Sequence, residues 1–541
     1  MQYNFLNEIE TNVLTKNNVA MRVGVSVATV HNWIKTGYLQ TTVEGFVRQD
    51  SVEIFLQKFS GTEKLNARAN KLKKDEHNHK TLSEKIAKQI NSEKFNDNVW
   101  QMYENSLSES FRNKEGIYYT SETIISDMLQ SIDSVENKTF LDPCCGGGNF
   151  IIQALEKGFS PENIYGFDTD SNAVEITKKR IFEKIGFKNE NIICGDFLEL
   201  ARTVKEKFDY IWTNPPWGKK LPKEIKDKYS QLYKTGKSTD TSSLFFFACL
   251  NLLQENGKLG FLLPEAFFNI STFEDARKAA LTLQIERLVD YGKPFKGLLT
   301  KAQAIILKNE KPNENSTVEC KTEKQKVLRK QKSFYNVPKH IFNFWIDNET
   351  EKVIEHIYSK SHATLANNAK WGLGIVTGSN EKMLKDTCEN GFVPIFRGQD
   401  ITANGLKNPT VFISEDLSKC QQVAPLELYK AKEKLVYRFI SSKLVFYCDT
   451  QQNYILNSAN FLILKDDFAI AGQQLVDLFN SDFMNFIFAN IFRTHKVLRG
   501  DLELLPIHTD YFIENKIFDE ESYLNYLNLE KNQNGTYRIK R

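Results

Sequence analysis

From Lys138 to Lys308 short apolar runs alternate with amphipathic stretches. Few architectures accept that alternation. Apolar runs bounded by turn residues read as buried strands, and strands separated by helical patterns read as a mostly parallel sheet covered by helices. The candidate strands are "TFLD", "NIYGFD", "NIICGD", "FDYIWT", "KLGFLLP", "RLVDYG" and "AQAIILK". Sheets of this kind bind ligands outside the carboxyl ends of their strands. The residues just after each run are therefore where chemistry is expected.

After the first run comes "FLDPCCGGGNFI" (Phe140–Ile151), which opens a helix. Its glycines allow positive φ and remove side chains where a ligand approaches the backbone. Asp168 ends the second run, at the separation from Gly148 where such folds place a ribose-binding carboxylate. The loop is not GxGxxG, and Asp142 precedes it. A carboxylate there would repel a pyrophosphate and suits a ligand with a cationic group. S-adenosylmethionine, with its ammonium and sulfonium, is such a ligand. Asp196 closes the third run and could accept from an adenine amino group, with Phe197 packed on the ring. Each acid taken alone reads as a helix cap; three at successive strand ends beside a glycine loop read as a site.

The fourth run ends at "NPPW", Asn214 to Trp217. Pro215 and Pro216 end the ladder and fix φ near −65°. The Asn214 side-chain oxygen and the Pro215 carbonyl can then converge as two acceptors. An exocyclic amino group is a poor nucleophile because its lone pair is delocalised into the base. Two acceptors draw that nitrogen toward tetrahedral geometry and stabilise the charge that develops on attack. Trp217 offers a stacking face. A surface Asn-Pro turn is the plain alternative.

With these motifs in order, the chain resembles an amino-group DNA methyltransferase of the γ arrangement, the class of many adenine-N6 enzymes of restriction–modification systems. The resemblance spans roughly residues 115–308 and adds "EGIYYTSETI" (Glu115–Ile124). It implies that Tyr119 and Thr120 touch the methionine part of the cofactor, with Ser121 where the family usually has proline. It implies that Asp142 and Gly146 to Gly148 hold the methionine end, Asp168 the ribose, and Asp196 and Phe197 the adenine. Asn214 to Trp217 would be the catalytic motif, and Phe295 would cover the other face of a base sandwiched by Trp217. The target adenine would be flipped out of double-stranded DNA. The implied fold is α/β, a Rossmann-like methyltransferase sheet with helices on both faces. A cytosine-C5 mechanism through Pro143–Cys144 does not suit the place of that dipeptide before the glycines. Cytosine-N4 methylation, and methylation of RNA or of a protein glutamine, are the alternative activities; a DNA-binding regulator with a relic cofactor fold is the non-enzymatic one.

The chain's 541 residues call for several domains. Residues 1–60 resemble an excisionase- or MerR-like helix-turn-helix, with a helix before Gly24 and a second opened by Ser26. Val27, Val30 and Trp33 would face its core, and Thr29, His31 and Asn32 its recognition surface. Residues 61–95 read as a charged linker or helix, 96–312 as the methyltransferase domain, and 336–541 as a mixed α+β target-recognition domain, TaqI-like or type IIG-like. Residues 310–335 read as a basic polar boundary. The segment "GKKLPKEIKDKYSQLYKTGK" carries seven lysines and reads as a phosphate-contacting loop or lid, with Lys219 and Lys220 as DNA contacts. Arg397, Lys496 and Arg499 are the contacts expected in the C-terminal region. No apolar run reaches the length of a membrane span, so a cytoplasmic protein with no membrane association is expected. Scattered cysteines without CxxC pairs argue for reduced thiols and no metal. No nuclease-like acid-and-lysine cluster stands out in residues 1–110, so any restriction endonuclease is expected to be a separate chain.

Overall fold

The structure is a computed structural model and describes residues 13–23, 27–35, 39–42, 45–59, 100, 102–104, 115–295, 298 and 300–540. The chain forms two compact units, residues 1–264 with 291–310, and residues 265–290 with 311–541.

At the start of the first unit lie β1 (Val13–Leu14), α1 (Lys16–Val23), α2 (Val27–Lys35), β2 (Val47–Arg48) and α3 (Gln49–Phe59). The strands pair antiparallel. Val19, Val30, Trp33, Val47, Val52 and Phe55 close a small core. Val30 and Trp33 face inward as the helical spacing requires, but Val27 does not. It opens α2 and stands 43% exposed, because the first turn of the helix lies beyond the core. His31 is exposed. The side chains of Thr29 and Asn32, the turn at Gly24 and the segment 61–95 lie outside the described residues.

The main sheet of this unit uses β3 (Phe140–Asp142), β4 (Ile164–Asp168), β5 (Ile192–Cys194), β6 (Phe208–Thr213), β7 (Leu253–Pro264) and the strand Ala302–Lys308. Their order is Ala302–Lys308, β7, β6, β3, β4, β5. All neighbours are parallel except Ala302–Lys308, which runs antiparallel to β7. The strands are near-continuous apolar runs because helices cover them; Leu141, Ile211, Trp212, Leu262 and Ile305 have no exposed surface. The covering helices are α4 (Glu122–Leu129), α5 (Asn149–Lys157), α6 (Ser171–Ile185), α7 (Phe197–Leu200), α8 (Lys223–Tyr233) and α9 (Thr241–Leu252). Capping sets their starts. Asp170, Asp196 and Asp240 each accept a backbone N–H in the first turn of α6, α7 and α9. Strand order reverses at β3, so the carboxyl ends of β3, β4 and β6 open on one crevice.

In the second unit Gln284–Asp290 pairs parallel with Thr317–Lys321, which pairs antiparallel with Lys326–Lys330. The expected polar boundary thus contains two strands. Val318 and Cys320 alternate inward there, with the half-buried Glu319 between them. A four-stranded antiparallel sheet follows, in the order Ala369–Leu373, Ala459–Leu464, Lys434–Arg438, Phe446–Asp449. Its core includes Leu475, Phe479, Phe483, Met484, Ile487 and Phe488 from the helices Gly472–Asn480 and Asp482–Ile491. Ser481 separates those helices by accepting the Met484 N–H. No helix among the described residues is long and apolar enough to cross a membrane, and no group of His, Cys, Asp and Glu among them could hold a metal ion.

Candidate active site

A cavity of about 530 Å³ opens at the strand ends of the first unit. Its wall includes Tyr119, Thr120, Asp142, Gly146, Asp168, Asp196, Phe197, Asn214, Pro216 and Lys219. The structure therefore brings together residues that lie far apart in the chain and were singled out separately in the sequence. Gly148, Pro215, Trp217 and Phe295 are not part of that wall. Gly148 instead caps α5 in a left-handed conformation.

The strand-end acids differ in their surroundings. Asp142 is 1% exposed. Its Oδ1 accepts the Thr213 hydroxyl at 2.7 Å and the Cys144 N–H at 3.1 Å. Burial outweighs both bonds and pushes its carboxyl up to about 7. Asp168 accepts the Gly146 N–H at 2.8 Å and the Asp170 N–H at 2.9 Å. Desolvation pushes it up to about 6, against the pull of those N–H groups. Asp196 is a helix cap and a wall residue at once. Its Oδ1 accepts the Leu198 N–H at 2.9 Å, and its Oδ2 takes the Tyr229 hydroxyl at 3.2 Å. Phe197 is buried and stacked on Phe245, with centroids 5.7 Å apart. Cys144 is half-buried, and its thiol is pushed well up by desolvation. An activated thiolate requires the opposite shift.

Asn214 sits just beyond β6. Its Nδ2 donates to the Tyr118 carbonyl at 2.6 Å and the Thr120 hydroxyl at 3.2 Å. Both amide protons are thereby used, and the side chain is held in one orientation. Its Oδ1 is buried and finds no partner among the described residues. Leaving such an acceptor unmade costs about 1–3 kcal/mol, a cost that a ligand donor would remove. Thr120 thus holds the Asn214 amide through its hydroxyl as well as lining the cavity. Gly116 is needed on the same path. Its carbonyl accepts the Trp217 N–H at 3.0 Å, and a Cβ on it would stand 2.5 Å from the Trp217 carbonyl oxygen.

Trp217 and Phe295, expected to sandwich a base, touch each other in this structure. Trp217 is 6% exposed and Phe295 9%. Their rings meet edge to face, with centroids 5.3 Å apart. A base between them would need two stacking contacts, each of about 4.5 Å or more. Tyr118 leans on both rings, at 5.5 and 5.4 Å, and completes a closed aromatic cluster. The Trp217 Nε1 donates to the Leu262 carbonyl at 3.3 Å.

The lysine-rich segment, expected as a loop, is helical over its middle. Residues 223–233 form α8, with Tyr229 and Tyr233 buried. Lys219 lies in the cavity wall, paired with Glu115 at 2.9 Å, while Lys220 is exposed. The C-terminal cations are also engaged. Arg397 meets Asp400 at 3.3 Å and the Thr410 hydroxyl at 2.6 Å. Lys496 lies over the Phe439 ring, and Arg499 pairs with Glu503 at 2.8 Å and lies over Trp371.

Four aromatic wall or support residues escaped the sequence reading: Trp100, Tyr103, Tyr118 and Tyr229. The Trp100 ring occupies the space beside Gly147, where a Cβ would fall 2.2 Å from it, and meets Tyr119 edge-on at 4.7 Å. The Tyr103 hydroxyl donates to Asp170. Trp100 and Tyr103 stand three apart, as on one helix face, but nothing local tells what that face covers.

Comparison with known proteins matches this geometry. Residues 94–367 match the family model "N-6 DNA Methylase", and residues 393–507 match "TaqI-like C-terminal specificity domain". The chain is 46% identical to the Type II methyltransferase M.VspI of Vibrio sp. (strain 343), over 73% of this chain and 98% of that protein. It is 29% identical to the modification methylase CviBIII of Paramecium bursaria Chlorella virus NC1A, over 38% of this chain and 53% of that one. Among solved structures, the Type IIL restriction-modification enzyme MmeI in complex with DNA superposes with a TM-score of 0.51 at 12% identity. That superposition covers 85% of this chain and 73% of MmeI and bears on the fold. The family model covers half of the chain, and nearly the whole of a relative aligns with it. The chain therefore belongs to the N-6 DNA methylase family, enzymes that transfer a methyl group from S-adenosyl-L-methionine to the N6 amino group of adenine in DNA.

Proposed function

We propose that this chain is the modification methyltransferase of a restriction–modification system, acting on a flipped adenine within one short sequence of double-stranded DNA, in the cytoplasm, with any endonuclease on a separate chain. The observation that carries this reading is Asn214. Its amide is pinned by two acceptors, and its buried oxygen is left open beside the cavity.

The residues present suit the cofactor. Gly146 carries no side chain into the cavity, and the acids around it suit a ligand with a cationic end. When bound, S-adenosyl-L-methionine supplies an electrophilic methyl group on a sulfonium. Asp142, with Tyr119 and Thr120, would face its methionine end; a cation beside Asp142 favours the ionised carboxyl that burial alone disfavours. Asp168, already fixed by two backbone N–H groups, offers its remaining lone pairs to ribose hydroxyls. Asp196 and Phe197 would hold the adenine. For the target base, Asn214 Oδ1 accepts a hydrogen from the exocyclic nitrogen and stabilises the charge that builds on it. Pro215 and Pro216 keep that corner stiff. Trp217 and Phe295, with Tyr118, would separate to admit the base.

DNA would be held by the C-terminal region, through Arg397, Lys496 and Arg499, and by Lys220. The N-terminal helices add affinity or specificity through Thr29, His31 and Asn32. The domain division at 1–60, 61–95, 96–312 and 336–541 belongs to the same reading. The test is incubation with labelled S-adenosyl-L-methionine and double-stranded DNA, followed by modification-sensitive sequencing. N6-methyladenine at one short motif is expected. Label in cytosine, in RNA or in protein alone would overturn the reading.

A further inference from the structure

The lysine-rich stretch after the catalytic motif places α8 so that two tyrosines one turn apart point inward. The Tyr233 hydroxyl donates to the Leu198 carbonyl. The Tyr229 hydroxyl, on a side chain that is 5% exposed, lies 3.2 Å from Asp196 Oδ2 and 3.4 Å from Glu199 Oε2. A phenol has one proton to give. Glu199 already holds two cations, Lys228 at 2.5 Å on one oxygen and Arg202 at 2.9 Å on the other. That makes it the poorer acceptor for a neutral donor, and the Tyr229 proton goes to Asp196. The other Asp196 oxygen is taken by the Leu198 N–H. The carboxylate is therefore fastened at both oxygens, while Oδ2 retains a lone pair for one further donor. Asp196, Phe197 and Tyr229 all line the cavity.

We propose that Tyr229 is a positioning residue that aims Asp196 at an exocyclic amino group and so makes the cofactor site selective for adenine over a 6-oxo purine. The proposal rests on the assignment of this cavity to S-adenosyl-L-methionine. A carboxylate free to turn about its Cβ–Cγ bond can meet water instead of the base. Fastened by Tyr229, it presents a fixed acceptor, which rewards an N–H donor and repels a carbonyl oxygen. Burial and the two neighbouring carboxylates push the Tyr229 phenol up, so it remains a donor at neutral pH.

The test is calorimetric binding of S-adenosylhomocysteine and its inosine counterpart, in which a 6-oxo group replaces the amine. Three full-length proteins are compared: wild type, Tyr229→Phe and Tyr233→Phe. Wild type should prefer the adenosyl ligand. Tyr229→Phe should lose about tenfold of that preference, with affinity for the inosyl ligand unchanged. Tyr233→Phe, whose hydroxyl serves the backbone, should keep the full preference. If Tyr229→Phe weakens both ligands equally, or keeps the wild-type preference, the positioning role is overturned while the cofactor site stands. If wild type binds neither ligand, the cofactor reading itself is overturned.

Discussion

Two buried polar clusters, one in each unit, are treated in opposite ways. In the second unit Lys434 and Asp449 are both fully buried, and each of the two is answered. Lys434 donates to Asp449 and to the Tyr429 carbonyl. Asp449 also receives the Gln451 and Asn453 N–H groups and the Asn453 amide. Arg329 is likewise enclosed by Glu351, the Asn343 carbonyl, the Ser333 hydroxyl and the Phe334 ring. At the strand ends of the first unit the accounting is left open. Asn214 Oδ1 has no donor, and Asp142 is buried with its carboxyl pushed up to about 7. The difference separates scaffold from site. A scaffold closes its polar networks within the chain; a site leaves groups for a ligand to complete.

Four measurements would break or sharpen that contrast. The largest effect is expected at the closed network. Lys434→Met strands a buried carboxylate and should cost the unit ~3–5 kcal/mol, read by native-state hydrogen exchange of the strand Lys434–Arg438. Lys434→Met with Asp449→Asn should recover part of the loss. Exchange unchanged in the single variant would remove the closed side of the comparison. On the open side, Asn214→Ala should lower kcat by about 10²–10³-fold with cofactor affinity nearly intact; wild-type turnover would take the amide out of the reaction. Asp168→Ala should weaken cofactor binding by about 10- to 100-fold, measured by calorimetry, and an unchanged Kd would free Asp168 from the ribose. The smallest change is with pH. A cationic ligand selects ionised Asp142, so affinity should fall as pH drops below about 7, by about tenfold per unit for one proton. A flat profile from pH 8 to 6 would dismiss that pairing. For the ligand-free fold the sign is reversed. Asp142 and Asp168 hold protons that the unfolded chain has released, so their contribution favours the fold at low pH and is lost as pH rises through about 6 and 7.

How much of this was legible depends on how local each signal is. "FDYIWT" and "AQAIILK" coincide with their strands residue for residue, because a fully buried strand needs only its own apolar run. The strand-end acids and Asn214 were found because chain order at the sheet fixes where they emerge. What escaped needs partners distant in sequence. The ring of Trp100 against Gly147 and the Tyr118 carbonyl under Asn214 leave no periodic trace. The "GKKLPKEIKDKYSQLY" stretch misled because its lysines outnumber the two tyrosines that set its inward face. At Trp217 and Phe295 the spacing of the two rings is a packing outcome that no sequence distance encodes.

The backbone of the Glu115–Thr120 stretch has a practical consequence for anyone recombining enzymes of this kind. Gly116 receives the Trp217 amide, and Tyr118 and Thr120 clasp Asn214. The four-residue motif is therefore one half of a two-piece part whose other half lies about a hundred positions upstream. A chimera that imports only the downstream half inherits a loosely seated amide, so crossover points belong before Glu115 and after Trp217, with everything between travelling together.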